Sequence, residues 1–206
     1  MALGSPTAPY DLRFDSGRIC LDLLATTHPG ERLDSLDRLR AWITGSGLVP
    51  AGTPLAGADP GWLPAFRELR GNIGQLVRAE LEGRPADGAL ARVNAAARQA
   101  PPALCAVRGA DGGLVRRLRP LPGCEELLAA VAREAIELLT DPGARVGLRQ
   151  CEGYNCPLVY LDTSRGRRRR WCSSEVCGNR ERVARHRRRT ALALGAAPPG
   201  AERRIR

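Results

Sequence analysis

Four of the seven cysteines fall within 27 residues in the pattern C-x4-C-x15-C-x4-C: Cys151 and Cys156, then Cys172 and Cys177. The stretch around them is polar and arginine-rich, so it offers no apolar interior for free thiols, and about 40 residues are too few to build a core of their own. A metal ion substitutes for that core. Two short cysteine loops joined by a hairpin-length spacer suit the tetrahedral four-thiolate set of structural zinc. Four-thiolate sites also hold iron–sulfur clusters, and spacing alone leaves that alternative open. The expected cofactor is one structural Zn2+ on these four cysteines, and without it this part of the chain unfolds. Cys20, Cys105 and Cys124 are scattered through apolar sequence and read as small buried hydrophobes.

Charge is distributed as unevenly as the cysteines. All 32 basic residues are Arg; residues 1–150 carry 18 of them against 17 acidic residues, and residues 151–206 carry 14 against 5. Such asymmetry points to an attached polyanion-binding part. The start of the chain has no basic segment followed by an apolar run, and no apolar stretch reaches the about 18 residues of a membrane span, so a cytoplasmic protein with no membrane partner is expected.

Before the cysteines the periodicity is helical. Leu33, Leu36, Leu39 and Ile43 recur at helical spacing up to Gly45. A second helix is predicted from about Leu63 to Glu82, with Phe66, Leu69, Ile73, Leu76, Val77 and Leu81 on one stripe and Gly83 as its stop. Further helices are predicted over Ala86 to Arg98 and Glu125 to Leu139. Leu104 to Val107 and Leu114 to Leu118 flank a Gly-rich turn and predict a β-hairpin. The fold class is therefore mainly α with a small β-hairpin: a helical domain (1–148), a four-cysteine zinc ribbon or finger with a basic helix (149–194), and a disordered tail (195–206).

Within the module, Leu158 to Leu161 predicts a strand, Asp162 to Gly166 a turn and Arg167 to Trp171 the returning arm. Ser173 or Ser174 caps a helix running from about Glu175 to Leu194. The run Cys-Pro-Leu-Val-Tyr-Leu-Asp-Thr-Ser-Arg-Gly-Arg-Arg-Arg-Arg-Trp-Cys, followed by Cys177-Gly178-Asn179-Arg180, resembles the CGNR zinc-finger family. The segment Ile19 to Thr27 resembles the opening of the ABATE domain that precedes the finger in that family, with Ala25 where the family usually carries Asn. The resemblance implies a bacterial stress-induced transcription regulator whose finger binds DNA.

Residues 165–189 hold eleven Arg and two Glu, a density that repels itself unless a polyanion is near. A projection at about 100° per residue places Arg180, Val183, Arg187 and Leu194 on the face of Val176, and Arg182, Arg185 and Arg189 on the opposite face. The expected DNA contacts are Arg165, Arg167, Arg168, Arg169, Arg170, Arg182, Arg185 and Arg189. Arg180 is expected to turn inward and pair with Asp162, and Trp171 to pack over the metal. His186 borders the outward face as a bystander, and His28 lies in a Pro-Gly turn with no chemical role.

The expected partner is double-stranded DNA, read by a helix in the major groove. The helical domain leaves room for a small-molecule effector and for a homodimer. A zinc-dependent protein-interaction adaptor and an RNA-binding protein are the alternatives. No enzyme is expected, because a four-thiolate zinc site is closed and no catalytic constellation stands out.

Overall fold

The computed structural model describes residues 12–193, so the expected tail, 195–206, and Leu194 lie outside the described residues. In chain order the elements are α1 (Ile19–Ala25), α2 (Leu36–Gly45), α3 (Trp62–Glu82), α4 (Asp87–Ala97), β1 (Leu104–Arg108), β2 (Leu114–Leu118), α5 (Cys124–Thr140), α6 (Pro142–Arg145), β3 (Leu148–Gln150) and β4 (Val159–Leu161). A π-turn (Ser174–Gly178) and α7 (Asn179–Ala193) complete them.

The predicted helices form because their apolar stripes meet. On α3, Phe66, Leu69, Ile73, Leu76 and Val77 are buried, and Gly83 ends the helix with φ 63°, the left-handed conformation that glycine adopts without cost. Leu81, expected on this stripe, is instead exposed and lines a shallow cleft beside Val146. Ser35 caps α2 by accepting from the Arg38 amide, and Trp42 of that helix meets Phe66 edge-on at 6.0 Å between ring centroids. Leu127, Val131, Ala135 and Leu138 carry α5 into the same core. The hairpin pairs Leu104 with Leu118 and Arg108 with Leu114, as its turn residues predict.

No helical pattern announces α1. Seven residues make only about two turns, too little to be stable alone. Its N-terminus is satisfied from α5: the Glu134 carboxylate accepts from the Cys20 amide at 2.8 Å and pairs with Arg18, an anion at the positive end of the helix dipole. Cys20, Leu21 and Leu23 are fully buried. Cys105 and Cys124, by contrast, are only half-buried.

Asp22 on the same helix is buried, accepts from the Ser16 amide at 2.9 Å, and has its carboxyl pushed up to about 6 by desolvation. Its folded-state value lies above the ordinary 3.8. Its contribution is therefore fully present below about pH 4 and is lost as pH rises through about 6. Asp22→Asn keeps the acceptor and removes the buried charge. The expected result is a variant more stable than the parent by about 1–3 kcal/mol at pH 7.5 and no more stable at pH 4, measured by urea denaturation at both pH values.

The zinc module is not built as the sequence suggests. β4 pairs antiparallel with β3, which precedes the first cysteine, in the register Leu148↔Leu161 and Gln150↔Val159. The expected returning arm, Arg167 to Trp171, is not a strand. It is tied back by isolated bonds: the Glu152 amide donates to the Arg170 carbonyl at 2.9 Å, and the Tyr160 hydroxyl donates to the Arg169 carbonyl at 2.5 Å. Arg167 has φ 46°, an unfavourable conformation for a regular strand. Leu148, Val159 and Leu161 belong to the same buried core as the helices. The Leu161 amide donates to the Ser16 carbonyl at 2.8 Å, an approach that Gly17 permits, since a Cβ there would lie 3.2 Å from Leu161. The hairpin thus fuses the cysteine module to the helical domain.

Candidate metal centre and basic surface

Each cysteine arrives from a different local structure. Cys151 directly follows β3, and its amide donates to the Leu158 carbonyl at 2.8 Å. Asn155, in the left-handed region at φ 57°, reverses the chain so that Cys156 turns back toward Cys151. Cys172 follows Trp171. Cys177 sits in the π-turn, whose N-cap, Ser173, accepts from the amides of Glu175 and Val176. All four side chains are buried, and their Sγ atoms lie within 4.8 Å of one another.

The spacing fits a tetrahedral ion. Zn–S bonds of about 2.3 Å place neighbouring sulfurs about 3.8 Å apart, and Cys156–Cys172 and Cys172–Cys177 are separated by 3.8 and 3.6 Å. Amides point at the sulfurs: Gly153 and Cys172 donate to Cys151 Sγ at 3.4 and 3.3 Å. Gly153 is also required for space, because a Cβ there would lie 3.0 Å from Cys177 Cβ and 3.3 Å from Cys151 Sγ.

Electrostatics argue the same way. A hydrogen bond from Cys156 and then the Arg13 guanidinium pull the Cys172 thiol down to about 5. Cys156 is pushed up by donating that bond, and burial with the neighbouring thiolate pushes Cys177 up to about 12. Four thiolates in this volume require a cation. The four cysteines hold one structural zinc ion, and with four protein ligands it has no open position for a reacting water.

Two residues of the helical domain complete the centre. Arg13 donates to Cys172 Sγ at 3.3 Å and to the Cys172 carbonyl at 3.1 Å, and it is itself oriented by Asp15 through bonds of 3.0 and 2.8 Å. Ala25, at the end of α1, packs in one buried cluster with the four cysteines, Leu158 and Tyr160. No local pattern marks Arg13, which lies 159 residues from its partner. Ala25 is marked only by its place in the Ile19 to Thr27 segment. An outer hydrogen bond to a metal ligand is worth about ten- to hundredfold in metal affinity. Arg13→Ala is therefore expected to weaken zinc binding by that factor in chelator competition, and Arg13→Lys, which keeps one charged donor, to recover part of it.

The arginines divide differently from the projection. Arg169 leaves the expected DNA set: its guanidinium lies 4.5 Å from the Tyr160 ring centroid and donates to the carbonyls of Trp171 and Cys172. It braces the module. Asp162 is buried, and its carboxylate accepts from the amides of Ser164 and Arg169, both at 2.9 Å; the Ser164 side chain first, and then these amides, hold it below the ordinary carboxylate range. Arg180 does not pair with it; Arg180 is exposed on α7. Trp171 is half-buried against the cysteine cluster, with Arg170 over its ring.

Arg165, Arg167, Arg168, Arg182, Arg185 and Arg189 are exposed, as are Arg187 and Arg188. Arg170, also exposed, pairs with Glu152 at 2.6 Å. Arg187 is exposed because the face it shares with Val183 packs on nothing among the described side chains: Val176 and Val183 are 43% and 42% exposed. The first turn of α7 is tethered by Glu181, which accepts from the Tyr154 amide at 3.0 Å. His28 lies in the electrostatic neighbourhood of Cys172 and Arg180, and burial is the main cause of its lowered pKa.

Fold and centre together define a zinc-finger protein built on a helical domain. The family described as "Putative stress-induced transcription regulator", the ABATE domain, matches residues 17–142, and the CGNR zinc finger matches residues 147–190. The chain belongs to the ABATE family and carries a CGNR zinc finger; these families are of regulatory and zinc-finger types, not enzymes. No curated protein matches the chain. Among the described residues, no helix is long and apolar enough to cross a membrane.

Proposed function

We propose that the protein is a transcription regulator that binds double-stranded DNA through α7 and the exposed arginines of the finger. The observation that carries this reading is α7 itself. It bears Arg180, Arg182, Arg185, Arg187, Arg188 and Arg189, all exposed, against one acidic residue, Glu181. Arg182, Arg185 and Arg189 follow one another at helical i,i+3 and i,i+4 spacing, where like charges repel and destabilise a helix. Such a helix has no internal reason to be this charged, and a phosphate backbone relieves the repulsion. A helix of 15 residues also fits the major groove, with its start held by the zinc centre.

Stacking recognition of single strands or RNA has little support, because Tyr154 is the one exposed aromatic among the described residues of the finger. The test is to incubate the zinc-loaded protein with fragmented DNA of its host genome and sequence what is retained as salt rises. Cys177→Ser serves as control. Discrete sites that depend on Cys177 support a sequence-specific regulator, and uniform or absent retention overturns it in favour of an adaptor.

A further inference from the structure

A pocket of about 250 Å3 opens where the helical domain meets the finger. One face of α3 supplies Arg67, Arg70, Gly74 and Arg78, spaced by three, four and four residues. Pro157 and Leu158, directly after the zinc ligand Cys156, form the opposite wall. No acidic side chain lines it among the described residues.

Two of its arginines are fixed in place. Arg70 is buried and makes a two-pronged pair with Glu31, at 2.7 and 2.5 Å, and a 2.8 Å bond to the Thr26 hydroxyl. Arg67 donates to the Leu33 carbonyl at 2.9 Å and pairs with Glu31 at 3.8 Å. Glu31, outside the pocket lining, offsets one of the three positive charges. Arg78 has no hydrogen bond or ion pair among the described residues, and its guanidinium lies over Gly74, 3.3 Å from where a Cβ would stand.

Gly71 lines the same pocket from the middle of α3, where glycine costs about 1 kcal/mol relative to alanine. A Cβ at Gly71 would meet nothing within 4 Å, so packing does not explain the glycine. Gly71 and Arg78 are both exposed at the pocket.

We infer that this pocket binds a small organic anion, a carboxylate or phosphate monoester on a short apolar body. The anionic group sits on Arg78, since Arg67 is held by the Leu33 carbonyl and Glu31, and the body lies against Leu158 and Leu24. The volume is near the lower end of small-molecule sites, which suits a ligand with a single ring. The inference deepens the regulator reading by giving the effector a site and a chemical class, but its test needs no DNA.

Benzoate and phenyl phosphate are the probes, titrated by calorimetry into the full-length zinc-loaded protein, with benzyl alcohol as the uncharged control. The expected result is saturable binding of at least one anion. Arg78→Ala, which removes the charge, and Gly71→Leu, which fills the space, should each weaken it at least tenfold. Arg78→Ala should leave thermal stability unchanged, Gly71→Leu should raise it slightly as a mid-helix glycine is removed, and both should keep the zinc. Absence of saturable binding, equal binding of benzyl alcohol, or full retention in Arg78→Ala overturns the proposal.

Discussion

Stripping the zinc with a chelator, or replacing Cys172 by Ser, is expected to unfold residues 148–193 while leaving the core of α2, α3 and α5 folded. The asymmetry follows from what each part buries. The helical core is closed by Trp42, Phe66, Ile73 and Leu127, all fully buried. The second cluster consists of the four cysteines, Ala25, Leu158 and Tyr160, with Trp171 against it, and has no interior once the thiols separate. Structural zinc contributes about 10–16 kcal/mol of apparent binding free energy to small modules at neutral pH, more than the net stability of most domains.

Amide hydrogen exchange reads the outcome directly. Protection should be lost across the finger and α7, whose first turn is tethered from Glu181 to the Tyr154 amide, and retained in α3 and α5. Because β3 and β4 share the helical core, a destabilisation of several degrees in the remaining domain is also expected. Global unfolding would show that the two clusters are not energetically separable, and unchanged protection in the finger would show that zinc does not hold it. Acid should act as the chelator does, since zinc release is driven by thiolate protonation.

Replacing Arg182, Arg185 and Arg189 together by Ala is expected to lower duplex affinity at least about tenfold. It should also reduce the slope of log K against log salt by about 2.7, at roughly 0.9 for each phosphate that is no longer neutralised. Adding Arg187→Ala and Arg188→Ala should lower the slope further, because these residues are equally exposed. Fluorescence anisotropy over a salt series separates this from a folding defect, since the triple variant should keep its zinc. In the parent, circular dichroism at 222 nm should grow on DNA binding as phosphates relieve the repulsion along α7. A triple variant with an unchanged slope would remove α7 from the interface.

The cysteine spacing, the apolar stripes of α3 and α5 and the turn between β1 and β2 were legible because each is a local pattern. Four thiols in a polar stretch need a metal, and a stripe at helical spacing needs something to pack on. The strand partner of β4 was not legible. Leu148 to Gln150 is three residues long, too short for alternation to show, and it pairs because Leu148 and Leu161 both reach the helical core. α1 was hidden for a similar reason, since its N-terminus is satisfied by Glu134, 114 residues from Cys20.

The arginine-rich segment marks the same boundary. Its charge, its density and its attachment to a metal site are properties of composition and order, so they are present in the chain before it folds. Which guanidiniums face solvent depends on partners distant in sequence or on a buried face. Arg169 is drawn inward by the Tyr160 ring and two carbonyls, whereas Arg180 and Arg187 stay in solvent with Val183, because α7 presents no buried face among the described side chains. Arg13 joins Cys172 only because Gly17 lets the first segment lie against Leu161. Local patterns are set by neighbours along the chain, whereas a side chain's partner is set by which surfaces are buried against each other, and burial is decided only when the whole chain has packed.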